Sequence, residues 1–196
     1  MMLKKNEIKL CGKIEFDPPD ITNKHCEQSS WKKVAMITLE PYDRAKGGIC
    51  DYYSWFLKKR FNISLLRPVR GAHITFINDH IKDINENWES VKKRWHSKSV
   101  DVVLNVEPKT DSSSEKESTI THNWWLNVPQ EHRVDIQKIR DELGLGLPFF
   151  SLHMTIGRAE NFKKYSTDNS MKAKEMNVEQ SIYIHNSIRN KHIRFD

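Results

Sequence analysis

The sequence predicts an α+β fold made of two similar halves related by a pseudo-twofold axis. Two observations favour this duplicated, bilobal architecture. A strand carrying the pattern His-x-Thr occurs twice, in "AHITFI" and in "LHMTIG". Each copy follows a strand, a helix and a loop in the same order, from "VAMITLEP" to "AHITFI" and from "WWLNVPQ" to "LHMTIG". Two long repeats argue against a solenoid and favour a single domain over 1–196, with lobe one at about 32–98 and lobe two at about 99–185.

Composition and charge limit the class of protein. Hydrophobic residues make up 37% of the 196 residues, which is enough to bury one sizeable core. The net charge of +6 favours anionic partners such as phosphates or nucleic acid, although excess lysine also serves solubility. Cys11, Cys26 and Cys50 form no paired spacing, which indicates a reducing compartment. Since no apolar run suits a signal peptide or a membrane span, we expect a soluble, cytoplasmic protein without membrane contact.

The elements of lobe one follow from hydrophobic periodicity. We predict a strand at 32–40, preceded by a charged lead, then a helix at 49–61, the first motif strand at 72–78 and a helix around 84–95. Both helices show an apolar stripe at helical intervals. The stripes are Tyr52, Tyr53, Phe56 and Leu57 in the first helix and Ile84, Trp88, Val91 and Trp95 in the second.

Lobe two begins with a strand at 99–107, in which apolar residues alternate as in a half-buried strand. A helix is predicted between Pro129, where a first helical turn tolerates proline, and Gly144, where a helix usually stops. Ile136 and Ile139 belong to its buried stripe. The remaining elements are a polar loop at 109–119, a strand at 122–128, the second motif strand at 150–156, a polar loop at 163–177 and a last strand at 178–186.

The two motifs each place an imidazole and a hydroxyl on one face of a strand. Residues i and i+2 of a strand point to the same side, about 7 Å apart. His73 therefore shares a face with Thr75, and His153 shares a face with Thr155, while their apolar neighbours face the opposite side. If the pseudo-twofold axis brings the strands together, two histidines and two threonines converge in one cleft.

Such a group of side chains suits a phosphodiester. One neutral imidazole can take a proton from an attacking hydroxyl or water, and a protonated one can give a proton to the leaving oxygen. The threonine hydroxyls can donate to the non-bridging oxygens. A zinc site would need a third ligand beside His73 and His153, and Asp79 lies too far along the strand, so we expect neither a metal nor another cofactor. The alternative is a pair of structural strand histidines, and which histidine is the base stays open.

The paired motifs resemble those of the 2H phosphoesterases, a family named for two His-x-Thr/Ser motifs, over about residues 32–185. The stretches "SWKKVAMITLEP", "YYSWFLKKRFN", "RGAHITFIND" and "GLPFFSLHMTIGRAE" look like the bacteriophage branch, the anti-CBASS phosphodiesterases. The resemblance implies two antiparallel sheets around a central cleft, with helices outside. It also implies that His73, Thr75, His153 and Thr155 are catalytic. The implied reaction is metal-independent cleavage of a 3′–5′ linkage in a cyclic di- or trinucleotide, in the host cytoplasm, which blocks CBASS antiviral signalling.

Three further residues are candidates for substrate contact. By alternation Tyr42 lies on the polar face of its strand, and Trp125 lies opposite the apolar face of its own, so either ring can stack on a base. Glu179, on the last predicted strand, can accept a hydrogen bond from a base edge. The competing interpretations are space-filling aromatic residues and a solvated carboxylate.

Two other functions remain open. One is an RNA-processing 2H enzyme that acts on 2′,3′-cyclic ends or 2′–5′ linkages. The other is a non-catalytic module that sequesters a cyclic nucleotide, for which basic charge and cleft aromatics serve equally well. Intact His-Thr pairs are needed only by an enzyme. Stable binding of duplex nucleic acid is not expected, and the sequence leaves ring size, base preference and oligomeric state undetermined.

Overall fold

The computed structural model describes residues 3–19, 33–39, 48–68, 70–78, 87–110 and 122–159. In these residues the chain forms an α+β fold with two antiparallel sheets and three α-helices, which confirms the α+β class and the two antiparallel sheets. The strands are β1 Glu7–Phe16, β2 Ala35–Thr38, β3 His73–Ile77, β4 Ser99–Asn105, β5 Lys109–Thr110, β6 His122–Asn127 and β7 His153–Ala159. The helices are α1 Ile49–Phe61, α2 Trp88–Trp95 and α3 Val134–Glu142.

Sheet one has the strand order β3-β2-β1-β4, so β1 lies inside the sheet and pairs with both β2 and β4. The interpretation of this N-terminal segment as a charged lead is wrong. Its even positions are apolar, and Ile8, Ile14 and Phe16 are buried in the core, while Lys9 and Lys13 are exposed. That alternation is typical of a strand with one buried face.

Strand β4 was expected to open lobe two, but it hydrogen-bonds to β1 along its whole length in sheet one. The register pairs Glu7 with Asn105 and Lys13 with Ser99. The break between the two sheets therefore falls after β4 rather than before it. The partner that decides this is β1, which lies about ninety residues earlier in the chain.

Sheet two has the order β5-β6-β7. Its first strand, Lys109–Thr110, lies within the segment expected to be a loop, and its last strand begins at His153 and continues to Ala159, three residues beyond the predicted end. Opposite the second motif, β6 places Trp125 beside Thr155 and Asn127 beside His153. Cross-strand neighbours of this kind share a face, so these four side chains point to the same side.

The helix boundaries differ from the expected ones at two places. Helix α1 has the predicted bounds, and Asn62 ends it with a left-handed φ of 55°, which asparagine tolerates. Helix α3 begins at Val134 rather than after Pro129, because Pro129 has an extended backbone with ψ 145°. A short 3₁₀ helix, Gln130–His132, fills the gap between them. Helix α2 begins at Trp88, with Asn87 as its N-cap. Ile84, the first residue of its predicted stripe, lies outside the described residues.

A single apolar cluster joins both sheets and all three helices. At one end the ring of Phe16 meets that of Trp88 edge-on, with centroids 5.2 Å apart. Near the middle the buried hydroxyl of Tyr53 donates to Val106 O at 2.6 Å, which anchors α1 to the segment that follows β4. The core lies behind the apolar faces of the motif strands, so those strands are buried on one face only.

The two motif strands β3 and β7 lie against each other, and each is the outermost described strand of its sheet on that side. An isolated bridge between Leu66 and Arg158 also joins the two halves. The fully buried guanidinium of Arg140 on α3 donates to Phe76 O at 2.7 Å and to Gly146 O at 2.9 Å. Arg140 thus fastens the helix of the second half to the strand that carries the first motif.

Three predicted segments lie wholly or mostly outside the described residues: the last strand at 178–186, the loop at 163–177 and most of the polar loop at 109–119. Among the helices that are described, none has the length and apolar character needed to cross a membrane.

Candidate active site

Strand β3 presents the first motif as alternation requires. Ile74 and Phe76 are fully buried in the core, whereas His73 and Thr75 are half-buried on the opposite face. In sheet one Thr38 of β2 lies directly across from His73. The imidazole and the Thr75 hydroxyl are therefore accessible from one side of a strand whose other side is packed.

Strand β7 repeats the arrangement. Met154 and Ile156 are buried, and His153 and Thr155 are half-buried on the other face. The backbone of this strand is held from behind, where the buried thiol of Cys50 on α1 donates to Thr155 O at 3.8 Å. The motif residues thus occupy equivalent positions on two strands that lie against each other.

The two imidazoles are oriented by the same hydrogen bond. Nδ1 of His73 donates to Gly71 O at 3.1 Å, and Nδ1 of His153 donates to Ser151 O at 2.6 Å. In both cases the acceptor is the carbonyl two residues earlier. Because a carbonyl only accepts, each Nδ1 carries a proton, and Nε2 is the nitrogen left to gain or lose one. The two rings are therefore held in the same way, each with Nε2 as its remaining proton-exchanging nitrogen.

The environment keeps His73 neutral. Burial is the largest influence and lowers the pKa of His73, while the bond to Gly71 O opposes that effect. The positive charges of Arg70 and His153 lower the pKa again, and the carboxylate of Glu15 raises it. The net result is a pKa below the usual range of histidine, so Nε2 of His73 carries a free lone pair at neutral pH. Because the charge of His153 acts on the pKa of His73, the two rings lie within electrostatic reach of each other.

Trp125 lies beside the second motif. Its ring centroid is 5.9 Å from that of His153, at an interplanar angle of 58°. The indole Nε1 donates to Asn127 Oδ1 at 3.0 Å, which fixes the ring over the face that carries Thr155. Its neighbour Trp124 is fully buried, as the alternation of β6 predicts. Trp125 is therefore positioned to contact a ligand held at the histidines, and base stacking stays a prediction for it.

The other two candidates for substrate contact, Tyr42 and Glu179, lie outside the described residues. Four of the seven predicted site residues are brought to the same place by β3 and β7, and Trp125 joins them through β6.

Sequence reasoning missed Glu15 as a neighbour of the site. Glu15 lies on β1, and its Oε2 accepts a hydrogen bond from Thr38 Oγ1 at 3.0 Å. Since Thr38 is the cross-strand partner of His73, this carboxylate belongs to the surroundings of the first imidazole. The signal was present in "EIKLCGKIEF", where apolar even positions indicate a strand and put Glu15 on its other face.

One cluster elsewhere has ligand types suited to a metal. Glu7, Glu131 and His132 bring one ligand atom each to within 4.8 Å of one another. The ammonium of Lys4 lies 2.5 Å from Glu131 Oε1 and 4.0 Å from Glu7 Oε1, so a cation of the chain already balances these carboxylates. Glu7 is eight residues along β1 from Glu15, about 26 Å in a strand. We interpret the cluster as an ion network that ties the N-terminal segment to the 3₁₀ helix.

Comparisons of the chain with protein-family models, with curated proteins and with solved structures find no match.

Proposed function

We propose that the protein is a 2H-type phosphodiesterase that cleaves 3′–5′ linkages in cyclic di- or trinucleotides, with His73 as the general base and His153 as the general acid. The observation that carries the proposal is the matched pair of imidazoles on adjoining strands. Each ring is held through Nδ1 by the carbonyl two residues earlier, and each is followed two residues later by a threonine on the same face. Two structural histidines have no need of that equivalence.

In the proposed reaction the phosphate lies between the two Nε2 atoms. His73, with its lowered pKa, takes the proton of the attacking water or ribose hydroxyl as that oxygen bonds to phosphorus. The bond from phosphorus to the leaving ribose oxygen then breaks, and protonated His153 gives that oxygen its proton. The Thr75 and Thr155 hydroxyls donate to the non-bridging oxygens, where negative charge grows. The residues supply every proton transfer themselves, so we expect activity in the presence of a chelator.

A cyclic messenger is the favoured substrate because it matches the resemblance of the motif strands to anti-CBASS enzymes. Cleavage of such a messenger would end a host antiviral signal. Basic charge supports a phosphate-bearing ligand, since the chain carries a net charge of +6. The indole beside His153 supports a ligand with an aromatic base.

The test is incubation of the purified protein, in EDTA, with a panel of cyclic nucleotides and with RNA that ends in a 2′,3′-cyclic phosphate. Products are identified by mass spectrometry. Opening of a cyclic nucleotide supports the proposal. Consumption of the RNA alone would establish the RNA-processing alternative, and ligand protected in a stoichiometric amount without product would establish the sequestering alternative.

Substitutions then test the assignment. His73→Asn and His153→Asn keep a polar side chain of similar size but remove the titrating ring, and each should lower kcat by at least about 100-fold with little change in binding. His132→Asn is the matched control, because His132 pairs with Glu7 in the ion network away from the motifs. Retention of turnover in either motif variant would rule out the acid–base pair.

A further inference from the structure

A cavity of about 450 Å³ lies on sheet one, along β1 and the end of β2. Its lining includes Thr38, Lys13 and Ser99, which are direct neighbours across β2, β1 and β4. Thr38 is also the cross-strand partner of His73 on the other side. The cavity therefore begins one strand away from the first imidazole, which is about 5 Å.

The cavity is on the same face of the sheet as the motifs. At Gly12 the core face is already filled, because a Cβ added there would come within 2.5 Å of Ile37 Cγ2 and 2.9 Å of Leu39 Cδ2. Open space at this point of β1 thus lies on the opposite side, where Lys13 and Glu15 project. That side is continuous with the row formed by Thr38 and His73.

The cavity presents an acceptor and a donor side by side. Lys13 and Glu15 are two residues apart on one face of β1, so their side chains emerge about 7 Å from each other. The bond from Thr38 Oγ1 orients the Glu15 carboxylate through Oε2. In the part of the chain that the structure describes, no protein group donates to Glu15 Oε1, which can therefore accept from a ligand.

This chemistry matches one edge of an amino-bearing nucleobase. Adenine, guanine and cytosine carry an exocyclic amino group that donates to a carboxylate, next to ring or carbonyl acceptors that suit an ammonium. Uracil has no amino group, and its single N3–H donor lies between two carbonyl oxygens that repel a carboxylate. The volume lies in the ordinary range of small-molecule pockets, about 300–1,000 Å³. A nucleotide whose phosphate lies between the histidines has its base within reach of the cavity.

We propose, on the basis of the proposed function, that this cavity binds an amino-bearing base of the substrate nucleotide and that Glu15 is its specificity-determining residue. Glu15 Oε1 accepts a hydrogen bond from the exocyclic amino group, and Lys13 Nζ donates to an acceptor on the same edge. The cavity thus favours substrates that contain adenine, guanine or cytosine over those that contain only uracil.

The first experiment compares kcat/KM for 3′,3′-cyclic di-AMP and 3′,3′-cyclic di-UMP in the parent protein and in Glu15→Gln. The parent should prefer cyclic di-AMP, whose bases carry the amino group, by about 10- to 100-fold, the effect of one hydrogen bond to a charged group. Glu15→Gln should reduce this preference to within about threefold. Hydrolysis of bis(4-nitrophenyl) phosphate, a diester without a nucleobase, is the reference. A change in its kcat/KM measures any effect that Glu15 exerts through His73, and each nucleotide kcat/KM is divided by it.

The matched control is Asp101→Asn. Asp101 lies on β4, directly across from Cys11 of β1 and on the same face of sheet one as Glu15. It forms an ion pair with Lys9 at 2.6 Å outside the cavity. The substitution removes the same charge from the same sheet, so the base preference should stay that of the parent. If Glu15→Gln keeps the preference, or if Asp101→Asn abolishes it equally, Glu15 does not read the base.

A second experiment detects binding without turnover. Cys11 is an exposed thiol that lines the cavity, and Cys50 is buried, so alkylation by iodoacetamide in a Cys26→Ser background reports on the cavity. AMP should slow the alkylation of Cys11, UMP should do so much less, and Glu15→Gln should lose the protection by AMP. Equal rates with and without AMP would overturn the proposal.

The two proposals fail in different ways. Protection of Cys11 by AMP in a protein that hydrolyses no diester would leave the base pocket and remove the phosphodiesterase. Loss of hydrolysis in the motif variants, with Cys11 unprotected and base preference unchanged in Glu15→Gln, would leave the phosphodiesterase and remove the pocket.

Discussion

Arg140→Met tests whether the buried guanidinium holds the two halves together. Arg140 has no exposed surface, and it reaches from α3 to the backbone of β3 at Phe76 O. Methionine preserves most of the apolar stem that packs in the core, but it removes every donor. The carbonyl of Phe76 then loses this bond in a buried position, at the strand that carries His73.

The magnitude follows from the bonds that are lost. Among the bonds to described residues, two are short, 2.7 Å to Phe76 O and 2.9 Å to Gly146 O, while one to Leu145 O is long at 3.5 Å. A hydrogen bond from a charged donor contributes about 1.5–3 kcal/mol, so two contribute about 3–6 kcal/mol. Removing a buried charge also relieves its desolvation cost, which offsets part of the loss. We expect the free energy of unfolding to fall by about 2–4 kcal/mol.

Arg133→Met is the matched control. Arg133 also donates two hydrogen bonds, from Nε at 3.0 Å and from Nη2 at 2.7 Å, but both go to Val128 O, five residues away in the same half. Its side chain is only half-buried, so we expect a loss of about 1 kcal/mol.

Both variants are measured by equilibrium unfolding in urea, followed by tryptophan fluorescence, since the chain has six tryptophans. In the folded protein, Arg140→Met should also lower the rate of diester hydrolysis more than Arg133→Met, because only Arg140 touches a motif strand. A loss of unfolding free energy below about 1 kcal/mol in Arg140→Met, or one no larger than that of Arg133→Met, would refute the reasoning.

Three more outcomes are expected. The pKa of His73 is lowered in the folded protein, so the acid limb of the kcat profile should lie below the usual pKa of histidine. Between the lowered pKa of the folded protein and the usual pKa, the unfolded chain binds the proton first, so stability should decrease as the pH falls through this range. An acid limb at or above the ordinary value contradicts the base assignment. Burial by itself raises the pKa of Asp17, but hydrogen bonds from Lys92, the Lys33 amide and the Trp88 indole lower it overall. Asp17→Asn should therefore cost about 1–2 kcal/mol in urea unfolding at neutral pH, and much less below the folded pKa of Asp17, where the carboxylate of the parent is protonated too. An equal cost at both pH values would show that charge is not involved. A Cβ on Gly157 would lie 3.0 Å from Leu66 O, so Gly157→Ala should lower the thermal midpoint and cost about 1–3 kcal/mol, and an unchanged midpoint would show that β7 shifts freely.

The sequence predicts the parts of this fold that depend on local pattern. Apolar residues with a period of two place His73 and Thr75 on one face of β3, and the same rule places His153 and Thr155 on β7. Helix α1 has the predicted bounds because its stripe is regular and a residue with left-handed geometry ends it. These features need only the residues within one element.

Features that depend on distant pairing were not predictable in the same way. Strand β1 alternates, but lysine and glutamate between its apolar residues gave it the character of a charged lead. With β1 missing, the partner of β4 was unknown, and so was the position of Glu15 beside Thr38. Register between strands is set by which faces are buried, and a single local pattern does not fix it.

The candidate site shows the same division. The four motif residues were found because each copy repeats one short pattern, and Trp125 was found because its neighbour Trp124 takes the apolar face. The shared orientation of the two imidazoles depends on the carbonyls of Gly71 and Ser151, which lie before the motif strands and outside the His-x-Thr pattern.

The contact between β3 and β7 determines how the distance between the imidazoles of His73 and His153 can be changed. The two strands touch, but no ladder of backbone hydrogen bonds joins them in the part of the chain described, so the distance between the imidazoles depends on the apolar side chains packed behind them as well as on the Leu66–Arg158 bridge and the Arg140 bond to Phe76 O. Trimming or enlarging Ile74 or Met154 would narrow or widen that span without altering any group that meets the phosphate. Under the proposed function, the size of substrate that fits between the histidines is therefore adjustable from the interior of the molecule, at positions remote from solvent.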